Sequence, residues 1–343
     1  MPVDTDLAPP HLFNRNHVQH VMREVVLALM PALLISLYSF GWGILINLLL
    51  AVVTALAAEA VMLSLRHKPL RPFLSDGSVL VSALLFALAL PPLMPWWLTV
   101  LGMLFAVAIA KHTFGGLGQN LFNPAMAGYA LLLVSFPARL AHWPAWEQAQ
   151  PGLLATLHYA LLGSLPADLN IDTLSSATTL DHLKSQLHLH YTWSEIQTSP
   201  MYGSLGGLPW QWLNLAYLTG GIYLLARRII GWQIPAGLLL AIILAALVFN
   251  LYDGDRYPGP LFHLFTGATM IGAFFIATDP ITAATTPWGR FFYGAGIGLI
   301  LYLIRTFGAY PDGLAFAVLI MNAAVPLLDE HTRPRVYGHE RSE

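Results

Sequence analysis

Ten apolar runs, cut from one another by charge or by Pro and Gly, decide what this chain can become. They fall at about 25–40, 43–65, 78–95, 97–110, 124–137, 210–226, 233–250, 260–277, 291–304 and 313–328. So many runs cannot all hide in a water-soluble core, whereas a bilayer about 30 Å thick accommodates them. Composition agrees: 56% of the residues are hydrophobic and 10% charged, against about 25% charged in soluble domains. The fold class expected is an all-α polytopic membrane protein with about ten transmembrane helices. Runs of roughly 14 residues are too short to cross as ordinary helices, which predicts half-helices joined to irregular backbone buried inside the protein.

Orientation follows from Lys and Arg. With the N-terminus in the cytoplasm, all but Arg139, Lys184, Arg256 and Arg305 of the 16 cationic side chains fall on the inner side, the bias typical of such proteins. Both termini are then cytoplasmic and residues 138–209 form one long periplasmic loop. The loop separates a first five-helix membrane repeat (1–137) from a second (210–328), with a cytoplasmic tail (329–343). The first run begins after Arg23 and Glu24 and lacks a small-residue cleavage pattern, so it is expected to stay as a span rather than leave as a signal peptide.

The halves resemble each other. "DGSVLVSALLFALALPP" from Asp76 is matched by "TGATMIGAFFIATDPIT" from Thr266, and "NLFNPAMAGYALLL" from Asn120 by "GAYPDGLAFAVLIMN" from Gly308. Five spans per half force opposite orientations, and inverted repeats place functional sites at their interface, often where helices are interrupted. Small-residue and Leu-rich spans also look alike by composition alone; the Pro and Gly breaks recurring in the same order favour the repeat.

Cysteine is absent, which excludes disulfides, thiolate metal sites, cysteine-bound clusters and cysteine nucleophiles within the chain. Any redox work must use a cofactor held otherwise. In the outer loop, Asp172, Ser175, Ser176, Ala177 and Thr178 read D-x-x-S-S-A-T. This resembles the D-x-x-[S/T]-G-A-T pattern at which flavin transferases attach FMN to the threonine hydroxyl. Small neighbours suit that chemistry, because the loop must enter a transferase and later sit beneath a bulky ring. Ser176 departs from the pattern's Gly. The plainer reading is a helix start, with Thr178 and Asp181 as a capping box ahead of "LDHLKSQL". Both hold if the attached phosphate lies at that helix N-terminus.

Three further constellations carry polar groups to membrane depth. "KHTFGGLGQNLFNP" places Asn120 and Asn123 where glycines and Pro124 interrupt a span; the alternative is a turn capped by Asn123 with Pro124 in the first helical position. "TDPIT" places Asp279 at the same expected depth, where it could join the asparagines around a planar hydrogen-bonding ring, cap a broken helix, or pair with Arg290. Glu59 lies inside the second run, so it either faces the bundle interior as a cation or proton site or snorkels towards Arg66, His67 and Lys68. Trp96, Trp97, Trp210 and Trp212 read as interfacial belt residues. His188 and His190 read as surface residues, and no metal site or nucleic-acid partner is expected.

Taken together and in order, "SDGSVLVSALLFALALPP", "FGGLGQNLFNPAMAGYALLLVSFP", "SSATTL", "FIATDPIT" and "GAYPDGLAFAVLIMNAAVPLLD" resemble the D subunits of Rnf-type (Rsx) ion-translocating electron transport complexes, over nearly the whole chain. The B subunit of the sodium-pumping NADH:quinone reductase is similar too, apart from a longer N-terminal extension. The resemblance implies a flavoprotein subunit of a bacterial inner-membrane translocase (EC 7 class), whose activity belongs to the whole complex. Such a complex couples electron transfer between ferredoxin and NAD to movement of Na+ or H+. The resemblance implies covalent FMN on Thr178, and a second, non-covalent flavin (riboflavin) near Asn120, Asn123 and Asp279. Glu59 falls where the paralogue has an acid tied to cation uptake. Implied partners are the A, B, C, E and G subunits of the Rnf complex, a flavin transferase for maturation, and the lipid bilayer. Together the flavins would relay electrons across the membrane; a secondary transporter without flavin is the rival reading from another class.

Overall fold

The computed structural model describes residues 15–144, 150–164 and 174–333. Asp172 lies outside the described residues. The frame consists of α1 (Arg15–Phe40), α2 (Gly43–Leu65), α3 (Ser78–Ala89), α4 (Trp96–His112), α5 (Pro124–Ser135), α6 (Thr179–His188), α7 (Trp210–Ala226), α8 (Gln233–Tyr252), α9 (Pro287–Phe307) and α10 (Leu314–Thr332). Among the described residues, five helices are long and apolar enough to cross a membrane: α1 from Val18 onward, α2, α8, α9 and α10. Helices α3, α4 and α5 are apolar but shorter. The chain is a multi-pass membrane protein.

Local sequence explains the boundaries. The Asn123 side chain accepts the Met126 N–H at 3.1 Å and Pro124 occupies the first helical position, so α5 starts there. It stops before Pro137, which disfavours helical backbone at Phe136. Helix α9 is longer than its apolar run, 291–304, because Arg290 and Arg305 are helical residues and not boundaries; Thr286 caps it and Pro287 opens it.

Two breaks interrupt the bundle. Between 260 and 276 the chain forms short helices Pro260–Phe265 and Thr269–Ile271 and then a π-helical turn, Gly272–Ile276. Gly267 takes φ +65° at the first break. The freed backbone groups find partners: Asn214 of α7 donates to Gly267 O at 2.9 Å and accepts from Met270 N–H at 3.1 Å, while Asp312 accepts from Ala268 N–H at 2.8 Å. Irregular backbone at membrane depth survives only when satisfied in this way. Ahead of α3, Gly77 takes φ +81° and Asp76 accepts the Ser78 N–H at 2.7 Å.

Glycine sets the helix spacing. A Cβ on Gly128 of α5 would stand 2.4 Å from Gly102 O of α4, and one on Gly220 of α7 2.2 Å from Ala28 O of α1, the close approach that small residues permit between membrane helices. Helix α1 packs on α7, α5 on α10, α2 on α3 and α4, and α8 on α9. Strand β1 (Trp143–Pro144) pairs antiparallel with β2 (Ser175–Ser176), tying the stretch before Thr178 to the end of the segment that follows α5. Trp96, Trp97 and Trp212 are exposed as belt residues should be, but Trp210 packs on Trp143 and Phe40 with ring centroids 4.8 and 5.4 Å away.

Candidate functional site: two cavities and a buried ion cluster

The sequence around Thr178 folds as a cap. Its Oγ1 accepts the Asp181 N–H at 3.2 Å and its hydroxyl donates to Asp181 Oδ2 at 2.7 Å, fixing the first turn of α6. Burial pushes the Asp181 carboxyl above the usual carboxylate range, and its two bonds to Thr178 pull it back only in part. Thr178 is half-buried and stands on a partition. On its inner side lies a cavity of about 560 Å³, within the ordinary size of cofactor pockets. On its outer side lies a groove of about 260 Å³ floored by Ser176, Ala177, Pro200 and Met201.

The inner cavity is walled by the ends of several helices, with Tyr129 of α5, Trp210 and Tyr217 of α7, Gly267 at the break, and Tyr310 and Asp312 ahead of α10. Two residues of its wall, Tyr217 and Thr179, carry side-chain oxygens that are buried without a partner among the described residues, Thr179 Oγ1 lying towards Gly207. Leaving such groups unsatisfied costs about 1–3 kcal/mol each. A planar ring fits this wall, which offers aromatic side chains to stack on and the polar side chains of Thr178, Asp181 and Asp312.

The second cavity, about 110 Å³, lies beyond the first turn of α5: Ala125 faces it and Met126 faces the first. Along α3, Ser78 and Leu85 face the second cavity and Leu88 and Ala89 the first, so about one helical turn separates the two linings. Asn120, Asn123 and Asp279, distant in sequence, all line this second cavity together with Lys111. Their commitments differ. Asn123 is spent on structure, since its N–H donates to Asn322 Oδ1 at 3.1 Å and its Oδ1 caps α5. Asp279 accepts from Ile281 N–H at 3.3 Å and Thr282 Oγ1 at 3.1 Å; Arg290 turns instead to Ala284 O at 3.2 Å. Asn120 donates to Phe122 O at 3.2 Å while its buried Oδ1 has no partner among the described residues. The donor set fits the edge of a hydrogen-bonding ring, although the volume admits only that edge.

Glu59 faces the interior and does not snorkel. It is 1% exposed and bound by two side chains that the sequence does not single out, Lys111 reading there as a cation on the cytoplasmic side. Lys111 Nζ reaches both Glu59 oxygens at 3.0 Å, and His112 Nε2 lies 2.9 Å from Oε2. Residues 105–112 form a π-helix, and such widened turns occur frequently at functional sites; here it lets adjacent side chains reach one carboxylate. The readable signal is "AKH" following an apolar run with no break, but nothing in it names a partner 52 residues away. His188 and His190 are exposed.

Comparison with known proteins finds matches along nearly the whole chain. Residues 7–338 match the NQR2, RnfD, RnfE family. The D subunit of the ion-translocating oxidoreductase complex of Aliivibrio salmonicida is 47% identical over 348 residues, covering 97% of each chain. Its namesake in Aeromonas salmonicida is 49% identical over 342 residues, covering 97% of this chain and 98% of that one. That of Escherichia fergusonii is 47% identical over 343 residues, covering 97% of each. With a match over nearly its whole length and relatives at this identity, the chain belongs to the NQR2, RnfD, RnfE family.

Proposed function

We propose that the chain is the D-type subunit of a redox-driven ion-translocating complex of the bacterial inner membrane, assembled with subunits of types A, B, C, E and G. In this reading Thr178 carries FMN as a phosphoester, and Asn120 and Asp279 hold a second, non-covalent flavin. The observation that carries the reading is the position of Thr178, which lines both a groove and a cavity of cofactor size walled by aromatic side chains. Bound flavin supplies the electron-transfer chemistry that a chain without cysteine cannot supply itself.

The chain's own residues bind, orient and tether. In maturation a flavin transferase joins Thr178 Oγ1 to the FMN phosphorus of FAD; the pyrophosphate bond breaks, AMP leaves, and the hydroxyl proton departs from its present bond to Asp181 Oδ2. The N-terminus of α6 then faces the phosphate, a placement that helix N–H groups and dipole favour. Tyr129, Trp210 and Tyr217 would wall a ring bound in the inner cavity, and Asn120 and Asp279 would hold the edge of one in the second. Ion coupling, of Na+ or H+, is assigned to Glu59 and its partners.

The same reading gives two inverted five-helix repeats, a periplasmic segment 138–209 and both termini inside. Supporting it are Gly77 and Gly267, left-handed at matching positions. The pairing of α1 with α7 and of α5 with α10 also supports it, since first-with-first and fifth-with-fifth contacts are what a two-fold axis requires.

Mass spectrometry of the peptide ending at Lys184, from complex made in a host with its flavin transferase, tests the assignment. The peptide should carry the mass of FMN, with an ultraviolet-fluorescent band on a denaturing gel, and Thr178→Val should abolish both. A bare threonine in native complex refutes the covalent flavin, and a purified chain that is colourless and gives no fluorescent band points to a carrier.

A further inference from the structure

Lys111 belongs to two places at once. Its ε-ammonium is held by both oxygens of Glu59 at 3.0 Å and lies 3.4 Å from Ser78 Oγ, yet its side chain is also part of the wall of the Asn120–Asp279 cavity. Lysine suits such a position, having a compact charge on a flexible four-carbon stem. If it leaves, Glu59 is a buried carboxylate with one remaining partner, a state that costs several kcal/mol unless another positive charge arrives.

His112 can receive that charge. Its Nε2 lies 2.9 Å from the carboxylate and so carries the hydrogen, while Nδ1 is buried without a partner among the described residues, leaving a lone pair for a proton. Other charged groups around it are Arg66, whose NH1 donates to His112 O at 3.3 Å, and Lys68, whose Nζ reaches Gly115 O at 3.5 Å. Asp76 is buried beside α3.

We propose that Lys111 is a movable counter-charge. It neutralises Glu59 while the cavity carries no added negative charge and shifts into the cavity when negative charge arrives, so that the Glu59–His112 pair takes up one positive charge, a proton or a small cation. The proposal rests on the reading that this cavity holds the edge of the second flavin. Two electrons from a reduced carrier of a partner subunit, with one proton, add one negative charge to a neutral bound ring. Lys111 then balances the ring, and the charge taken up balances Glu59.

The test is redox titration of the non-covalent flavin in the purified complex, with melting temperature as a second readout. Lys111→Met should lower its midpoint potential and Glu59→Gln, which frees the ammonium for the cavity, should raise it; a tenfold change in preference for the reduced form is about 30 mV for a two-electron couple. Lys111→Arg should stay near wild type. Charges fixed in place would give the same two signs, so movement is read from the wild-type potential, which should rise with NaCl over choline chloride or steepen with falling pH and lose that dependence in Glu59→Gln.

In Lys111→Met the melting temperature should recover with NaCl over choline chloride if a cation is taken up, or as pH falls from 8.5 to 6 if a proton is. The double variant Glu59→Gln/Lys111→Met, which removes both charges and folds even if Lys111→Met does not, should show neither recovery. Potentials that do not move while the flavin stays bound overturn the counter-charge, as does a Lys111→Met protein indifferent to both salt and pH. Wild-type complex with no extractable flavin overturns the second-flavin reading and the counter-charge with it.

Discussion

The two cavities solve one problem by opposite means. The Thr178 cavity is large and aromatic, with hydroxyls and the carboxylates of Asp181 and Asp312 in its wall; the Asn120–Asp279 cavity is small and sets amides, a carboxylate and an ammonium among apolar side chains. In the proposed reading, a tether on Thr178 accounts for the difference in size. A ligand fixed by a covalent bond is always at high effective concentration, so its cavity need only have the right shape and surface. A ligand held without a bond depends on placed polar groups, each worth roughly 0.5–1.5 kcal/mol net. Wall substitutions in the first cavity should therefore change the environment of the flavin, and those in the second its occupancy.

The sharpest attempt to break that contrast is Thr178→Val. It should remove all covalent flavin from this chain while leaving the extractable flavin at its wild-type ratio, measured by acid extraction against in-gel fluorescence. Loss of both together would mean that the second cavity forms only around an occupied first one. Next in size is Gly128→Ala. The added Cβ would stand 2.4 Å from Gly102 O and push α5 away from α4, an overpacking cost of about 1–3 kcal/mol. Because the first turn of α5 divides the cavities, this variant should lower the melting temperature and the occupancy of the second site together; an effect on one without the other would show that α5 does not couple them.

How far the residues announce this arrangement depends on whether their partners are near in sequence. The cap at Thr178 and the Asn123–Pro124 helix start are local and legible, since the partners lie within three residues. Asn120, Asn123 and Asp279 line one cavity, and their meeting is what counting the apolar runs leads one to expect. Lys111 misleads for the opposite reason: a lysine at the end of an apolar run looks solvated, and only the packing of α4 on α2 turns it inward. Trp210 likewise looks like a belt residue until Trp143 and Phe40 close on it. The limits of α9 are hidden because arginines inside helices resemble boundaries. Where the deciding partner is more than a helix away, composition and spacing carry no record of it.

A smaller effect separates the polar groups of the second cavity. Asn120→Leu should weaken retention of the extractable flavin about tenfold, near 1.4 kcal/mol, because Oδ1 is its one uncommitted buried acceptor among the described residues. Asn123→Leu should instead cost helix stability, about 1 kcal/mol through the lost cap, with retention following only as the fold loosens. Dilution from flavin-saturated complex, read by fluorescence, distinguishes the two.

The smallest effect tests the tethered side most directly, because its sign should depend on the tether. The Tyr217 hydroxyl is buried and unpartnered among the described residues, so in chain made without a transferase Tyr217→Phe removes a polar group that gains nothing from the fold. The melting temperature should rise, by the equivalent of about 1 kcal/mol. In flavinylated complex the same hydroxyl meets the ring, and its loss should cost a similar amount and shift the flavin absorbance while leaving the covalent stoichiometry unchanged. A rise in both preparations would mean that the hydroxyl points past the ring, and the contact assigned to Tyr217 would have to be dropped.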